Sequence, residues 1–207
     1  MPADALLTLP LLLAAAFFAG ALNAVAGGGS FLTLPALVFV GVPPVTANAT
    51  GTLALLPGYL SGAWGFREDI RPPHSLSLGP LILLSLAGGS AGALLLLITP
   101  NATFRAIVPW LLLAATALFA YGPRLLRGLR GRHEAGPAAT ALGVLAVTVY
   151  GGYFNGGLGI LLLALFGLLG MADLNAMNGL KNLVSAVLTS IAVAVYAWGG
   201  AIVWGTA

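Results

Sequence analysis

Two short polar interruptions in an otherwise apolar chain hold the residues best suited to chemistry. The first is Asn23 followed by Gly27, Gly28, Gly29 and Ser30; the second is Asn155 followed by Gly156 and Gly157. In hydrocarbon an unsatisfied backbone N–H is costly, so such a break is tolerated only where it is buried in protein or lines a watery cavity. A helix that begins after the break turns free N–H groups and the positive end of its dipole into that cavity, which suits an anion. Glycine lets a ligand come close to the backbone. Close helix packing through small residues is the other reading of the same glycines.

Each break is followed by a short apolar segment ending at Gly41 or Gly170, and then by an amide-bearing helix start, "NATG" at 48–51 and "NAMN" at 175–178. At about 100° per residue, Asn175, Asn178, Asn182, Ser185 and Thr189 fall within roughly an 80° stripe of one helix. In the earlier copy Asn48, Thr52 and Tyr59 share a face, and Gly51, Gly58 and Gly62 occupy the neighbouring one. The glycine face is expected to pack and the amide face to line the cavity. Interhelical hydrogen bonding by these amides is the plainer alternative. Lys181 lies on the edge of the seam, about 10 Å from the helix start, where the aligned first copy has Ala54. A buried ammonium marks a functional site by default. It could neutralise an anion or release a proton in coupling, or it could snorkel to the interface. Asp173 is expected to cap the same helix, and Arg105 to anchor another at the interface.

The elements that hold these residues are set by composition. The 207 residues are 59% apolar and 6% charged, with a mean hydropathy of +1.03, against roughly 25% charged in soluble domains. The chain is thus an all-α integral membrane protein, a polytopic helical bundle. No charge occurs from Ala5 to Phe66, a stretch that would make about 93 Å of helix, or two to three passes. Apolar runs and breakers predict segments at 5–26, 30–41, 45–65, 76–98, 103–122, 138–155, 158–170 and 174–198. The second and seventh are too short to cross about 30 Å of hydrocarbon, which predicts half-helices or re-entrant pieces.

Ala24-Val25-Ala26 imitates a signal-peptide cleavage site, but only Asp4, and no Lys or Arg, precedes the apolar run, so the run is read as the first membrane helix. "PRLLRGLRGRHEAGP" at 123–137 holds Arg124, Arg127, Arg130 and Arg132 against Glu134, and "REDIRPPH" holds Arg67 and Arg71. Both loops are therefore expected on the cytoplasmic side, with no nucleic-acid role. The order of breaks, short segments and amide-bearing helices occurs twice, which defines two homologous repeats. Residues 1–122 form the first repeat, 123–137 the basic loop and 138–207 a second repeat that lacks the last two helices. If the short segments cross, the repeats are inverted; if they re-enter, they are parallel.

There is no cysteine and hence no thiolate site, and His74 and His133 sit beside charged loop residues. Neither metal nor cofactor is expected. Gly28-Gly29-Ser30 resembles a serine-protease motif but has no general base at membrane depth, so the chain is not read as an enzyme. Membrane segments read as lacking Asp, Glu, His and Cys disfavour a cation or metal carrier. Paired breaks in corresponding positions of two repeats point instead to a transporter's central site.

The order of Asn-linked Gly break, short helix ending in Gly, "NAT" helix start, "GAWGF" end, basic middle loop, second Asn-Gly-Gly and "NAMNGLKNL" resembles the sulfite exporter TauE/SafE family of anion permeases. The resemblance covers about Phe17 to Trp204. It implies a carrier of sulfite, organosulfonates or related small anions in the bacterial inner membrane, coupled to protons. Its motifs carry over to Asn23, Gly27, Gly28, Gly29, Asn48, Thr50, Asn155, Gly156, Gly157, Asn175, Asn178 and Lys181; Ser30 and Asn182 join them from the residue reading. Members of the family usually complete the second repeat, so a shortened form or a homo-oligomer supplying the missing surface is expected. A carrier of another organic anion, or a membrane scaffold, is the alternative.

Overall fold

The computed structural model describes residues 3–129 and 136–206. Eight helices stand where eight segments were predicted: α1 (Ala3–Ala26), α2 (Ser30–Phe39), α3 (Pro44–Gly65), α4 (Leu78–Leu97), α5 (Asn101–Leu129), α6 (Pro137–Tyr153), α7 (Leu158–Leu168) and α8 (Leu174–Trp198). A 3-10 turn, Trp204–Thr206, follows. Proline opens α3 and α6, where its missing N–H costs no helical bond. α2 and α7 stop at Gly41 and Gly170, with bonds from Val42 N to the Leu37 carbonyl (3.0 Å) and from Met171 N to the Phe166 carbonyl (3.1 Å) that close the end in the Schellman manner.

One boundary is corrected. The basic loop was predicted from residue 123, but α5 runs on through Arg124 and Arg127 to Leu129, because Leu and Arg are good helix formers and outweigh Pro123 as a stop. Arg130, Arg132, His133 and Glu134 of that loop lie outside the described residues.

The path is fixed by who touches whom. α2 folds back along α1, so that Leu9, Leu12 and Leu13 meet Ala36 and Leu37 around a cavity of about 130 Å³. α7 folds back along α6 in the same way: a Cβ on Gly151 would lie 2.6 Å from Leu158, and one on Gly143 3.0 Å from Leu165. α3 and α8 run antiparallel. Gly62 abuts the Asn182 amide and Gly179 abuts Phe66, while beyond the opposite end of α8 Val203 N donates to Thr50 Oγ1 at 3.1 Å.

The triplets α1–α3 and α6–α8 therefore thread the bundle in opposite senses, each with its short helix folded back along the helix before it. α1 returns with α2 as one hairpin, and only α3, α4 and α5 pass from end to end before α6 begins. Ser75 Oγ and Thr140 Oγ1 are 2.8 Å apart, which puts the 66–77 loop and the start of α6 at one end, the Arg67 end. At the other, the Arg105 end, Val45 N donates to Asn101 Oδ1 (3.0 Å).

α4 and α6 lie parallel and almost in backbone contact, glycine to glycine. A Cβ on Gly92 would stand 2.6 Å from Tyr153 N, and one on Gly89 2.8 Å from the Leu188 carbonyl of α8. Small residues are what lets membrane helices approach so closely. Two apolar clusters fill the ends. One contains Leu37, Val45, Phe104, Phe154, Ala192 and Tyr196; the other contains Leu81, Leu158, Leu162, Phe166, Leu180 and Leu188. The gap in the chain between Phe154 and Leu158, and that between Leu188 and Ala192, place Asn155 and Thr189 between them.

Asp173 caps α8 as expected, accepting from Asn175 N at 2.9 Å and Ala176 N at 3.4 Å. Asp173→Ala should cost about 1 kcal/mol, read as a lower melting temperature in detergent. An unchanged melt would mean that α8 does not depend on its cap.

Candidate functional site

The first hairpin's tip meets the start of α7. Gly27 and Gly157 both have left-handed backbones, φ 78° and 73°, a region where a side chain is strained. Gly159 N donates to the Gly27 carbonyl at 3.4 Å, and a Cβ on Gly159 would lie 2.5 Å from the Gly27 Cα. Gly29 is as tight, with the Ala19 carbonyl 2.7 Å from its Cβ position, and Gly28 is buried beside it. The glycines thus pack, and by packing they bring the N-terminal ends of α2 and α7 together. The Gly156 carbonyl accepts from Tyr150 Oη (2.6 Å) and the Gly152 carbonyl from Tyr196 Oη, so two tyrosines satisfy the backbone around the second tip.

A polar layer lies across the middle of the bundle. Tyr59 Oη donates to Asn155 Oδ1 at 2.8 Å, and Asn155 Nδ2 reaches Thr189 Oγ1 at 3.4 Å. Asn23 Oδ1, Ser30 Oγ, Thr33 Oγ1 and Ser185 Oγ are buried without a protein partner. Buried polar atoms of this kind call for water or a ligand. Tyr59→Phe keeps the ring and removes the link, leaving Asn155 Oδ1 without its donor. A loss of roughly 1–3 kcal/mol is expected, seen as earlier unfolding; a variant that melts with the parent would dismiss the bridge.

Lys181 is 0% exposed. Its Cδ sits 3.2 Å from where a Gly159 Cβ would be, so glycine at the tip also makes room for the lysine stem. Nζ donates to Asn178 Oδ1 at 3.0 Å, and Asn178 Nδ2 in turn donates to the Leu174 carbonyl at 2.9 Å. Among the described residues the one ion pair is Arg67–Glu68. The ammonium is therefore held by an amide, with no carboxylate opposite it.

Other candidate residues have different settings. Asn48 Nδ2 donates to the Tyr153 carbonyl (3.1 Å) and Thr50 Oγ1 accepts from Val203 N, so both tie elements together near the Arg105 end. Asn182 is buried against Gly62. Asn175 is exposed in the first turn of α8, apart from the buried part of its own seam. Gly51 and Gly62 pack as expected, but the space around Gly58 is open. Sequence reasoning missed Gly159, although "NGGLG" displays it, and Thr33, the lone hydroxyl inside a short apolar helix after its first residue. Nothing in the sequence announces Tyr150 or Tyr196, whose partners are carbonyls.

Residues 12–207 match the sulfite exporter TauE/SafE family. The chain belongs to that family. This TauE/SafE protein is 31% identical over 206 residues to a probable membrane transporter protein of Haemophilus influenzae, covering 95% of the chain and 76% of the relative. It is 30% identical over 202 residues to the probable membrane transporter protein YfcA of Escherichia coli K12, covering 95% and 74%. A match of 36% over 119 residues to the probable membrane transporter protein ORF9 of a Sinorhizobium species spans 56% of the chain and only 44% of that relative. No solved structure matches. Membership of this transporter family makes the chain a multi-pass membrane protein. α4 and α8 are long and apolar enough to cross a bilayer by themselves.

Proposed function

We propose that this TauE/SafE protein is a secondary carrier of small sulfur-containing anions, sulfite or organosulfonates, coupled to protons and working by alternating access around the layer between the two hairpins. The observation that carries the reading is Lys181, a fully buried ammonium without a carboxylate partner among the described residues, set against the glycine tips. An anion beside it would supply the missing charge. The helix starts at Ser30 and Leu158 would present their dipole ends to it, and Asn23, Ser30, Ser185, Asn155 and Asn178 would take over bonds from its water shell. Each neutral bond is worth only about 1 kcal/mol in a membrane interior, so charge and helix ends supply the selectivity.

Two sets of contacts would alternate. Gly62–Asn182 and Gly179–Phe66 close α3 on α8 toward the Arg67 end; Thr50–Val203 and Asn48–Tyr153 hold the opposite end. The two oppositely threaded triplets are the natural pair of inverted repeats for such an exchange. By the charge rule the Arg67 end, which carries Arg67 and Arg71, would face the cytoplasm of a bacterial inner membrane.

The test is anion-induced current from purified protein in proteoliposomes, with sulfite, sulfoacetate, taurine, sulfate and chloride, with and without a proton gradient. A current that needs both a sulfonate or sulfite and the gradient supports the reading. Silence toward every anion from folded protein would favour a scaffold in which the glycines only pack.

A further inference from the structure

We infer that the groove between α2, the start of α3 and α5 at the Arg105 end is a binding site for an anionic phospholipid, with the phosphate on the Arg105 guanidinium and an acyl chain along the apolar wall. The groove encloses about 190 Å³ and is walled by Leu34, Val38, Pro44, Val108 and Leu112, with Arg105 at its rim. Pro35 and Pro109 complete the wall; with Pro44 they make three rings of fixed φ that stiffen the sides.

The spacing along α5 fits a lipid standing upright. Arg105 is four residues into the helix, about 6 Å from its first residue, and Leu112 is about 10 Å further along. A charged group at headgroup level is thus followed by apolar surface at hydrocarbon depth. A cation at the mouth of an apolar channel can pair with an anionic headgroup while the acyl chain lies along the channel.

Charge complementarity selects the occupant. Arg105 is exposed and forms no ion pair among the described residues, and no acid lines the groove. Glu68, Asp69 and Asp173 lie at the Arg67 end, where Asp173 caps α8. The position is not a free anchor either, because an arginine that only held its helix at the interface would need no channel beneath it.

Purified protein would be incubated with equal amounts of phosphatidylglycerol and phosphatidylethanolamine, and retained lipid counted by native mass spectrometry. Retention of phosphatidylglycerol should exceed that of phosphatidylethanolamine about fivefold, the size of one cation's attraction for an anionic lipid. Arg105→Gln should remove that preference and Arg105→Lys keep it. Val108→Trp, which fills the channel, should lower retention of both lipids, while Arg67→Gln at the far end should change neither. Full phosphatidylglycerol retention by Arg105→Gln would overturn the assignment. So would a dimer that dissociates in Arg105→Gln without any change in bound lipid, because the groove would then face a second copy. Should Val108→Trp not fold, the Gln–Lys contrast at exposed Arg105 still decides.

Discussion

Replacing Lys181 by methionine is expected to cut anion uptake about ten- to a hundredfold while the protein melts no earlier than its parent. The first half follows from the charge-assisted bond an anion would lose, roughly 1.5–3 kcal/mol, which converts to that range. The second follows from the cost of the buried charge itself. An ammonium with a single amide partner at 3.0 Å and no carboxylate opposite it is poorly compensated, and replacing buried charges by apolar residues of similar volume is often neutral or stabilising. Methionine keeps the stem that packs at Gly159. Uptake in proteoliposomes and thermal unfolding in detergent would be measured on the same preparation. Normal uptake would take Lys181 out of the site; loss of both uptake and stability would make it a structural residue.

Gly92→Leu is expected to abolish accumulation of folded protein, and Gly58→Ala to leave it intact or slightly more stable. Both glycines are inside helices, so propensity treats them alike. Their surroundings do not. A single Cβ at Gly92 would already stand 2.6 Å from Tyr153 N and 2.7 Å from Gly152 C, all backbone that cannot rotate away, whereas nothing lies within 4 Å at Gly58. Overpacking a well-packed core commonly costs about 1–3 kcal/mol; here the intruder meets main chain, so the upper end or beyond applies. Alanine at Gly58 gains about 0.5–1 kcal/mol of helix propensity. Size-exclusion profiles and melting curves of the two variants give the comparison, and equal behaviour would mean that α4 and α6 are not in contact.

Much of the helix plan could be read from the sequence because it follows from runs and breakers: apolar length, a proline at the start, a glycine at the end. The short helices were legible because Gly41 and Gly170 interrupt runs too brief to span a bilayer. The course of the chain was not. Whether α2 continues away from α1 or returns beside it depends on the turn through Gly27 to Gly29, and a glycine triplet permits both. That one turn sets the sense in which the second triplet runs. Buried polar positions were legible where side-chain type is scarce, as with Lys181, Asn23 and Asn155. It was not legible where partners are backbone atoms: nothing in "NATG" tells that Asn48 will hold the Tyr153 carbonyl and Thr50 the Val203 amide. The continuation of α5 to Leu129 was missed because arginines after a proline read as loop, although their helix propensity is high.

The bond between Tyr59 and Asn155 joins residues 96 positions apart. A ribosome adds roughly 5–20 residues per second, so Tyr59 emerges some 5–20 s before its partner is synthesised. During that interval the first hairpin, with Ser30 and the Asn23 amide at its tip, has no second hairpin to cover it. Such groups do not rest unpaired among lipid tails. The newborn first triplet must therefore keep water or the insertion machinery against its tip until α6 and α7 arrive, so that later-made segments seal earlier ones.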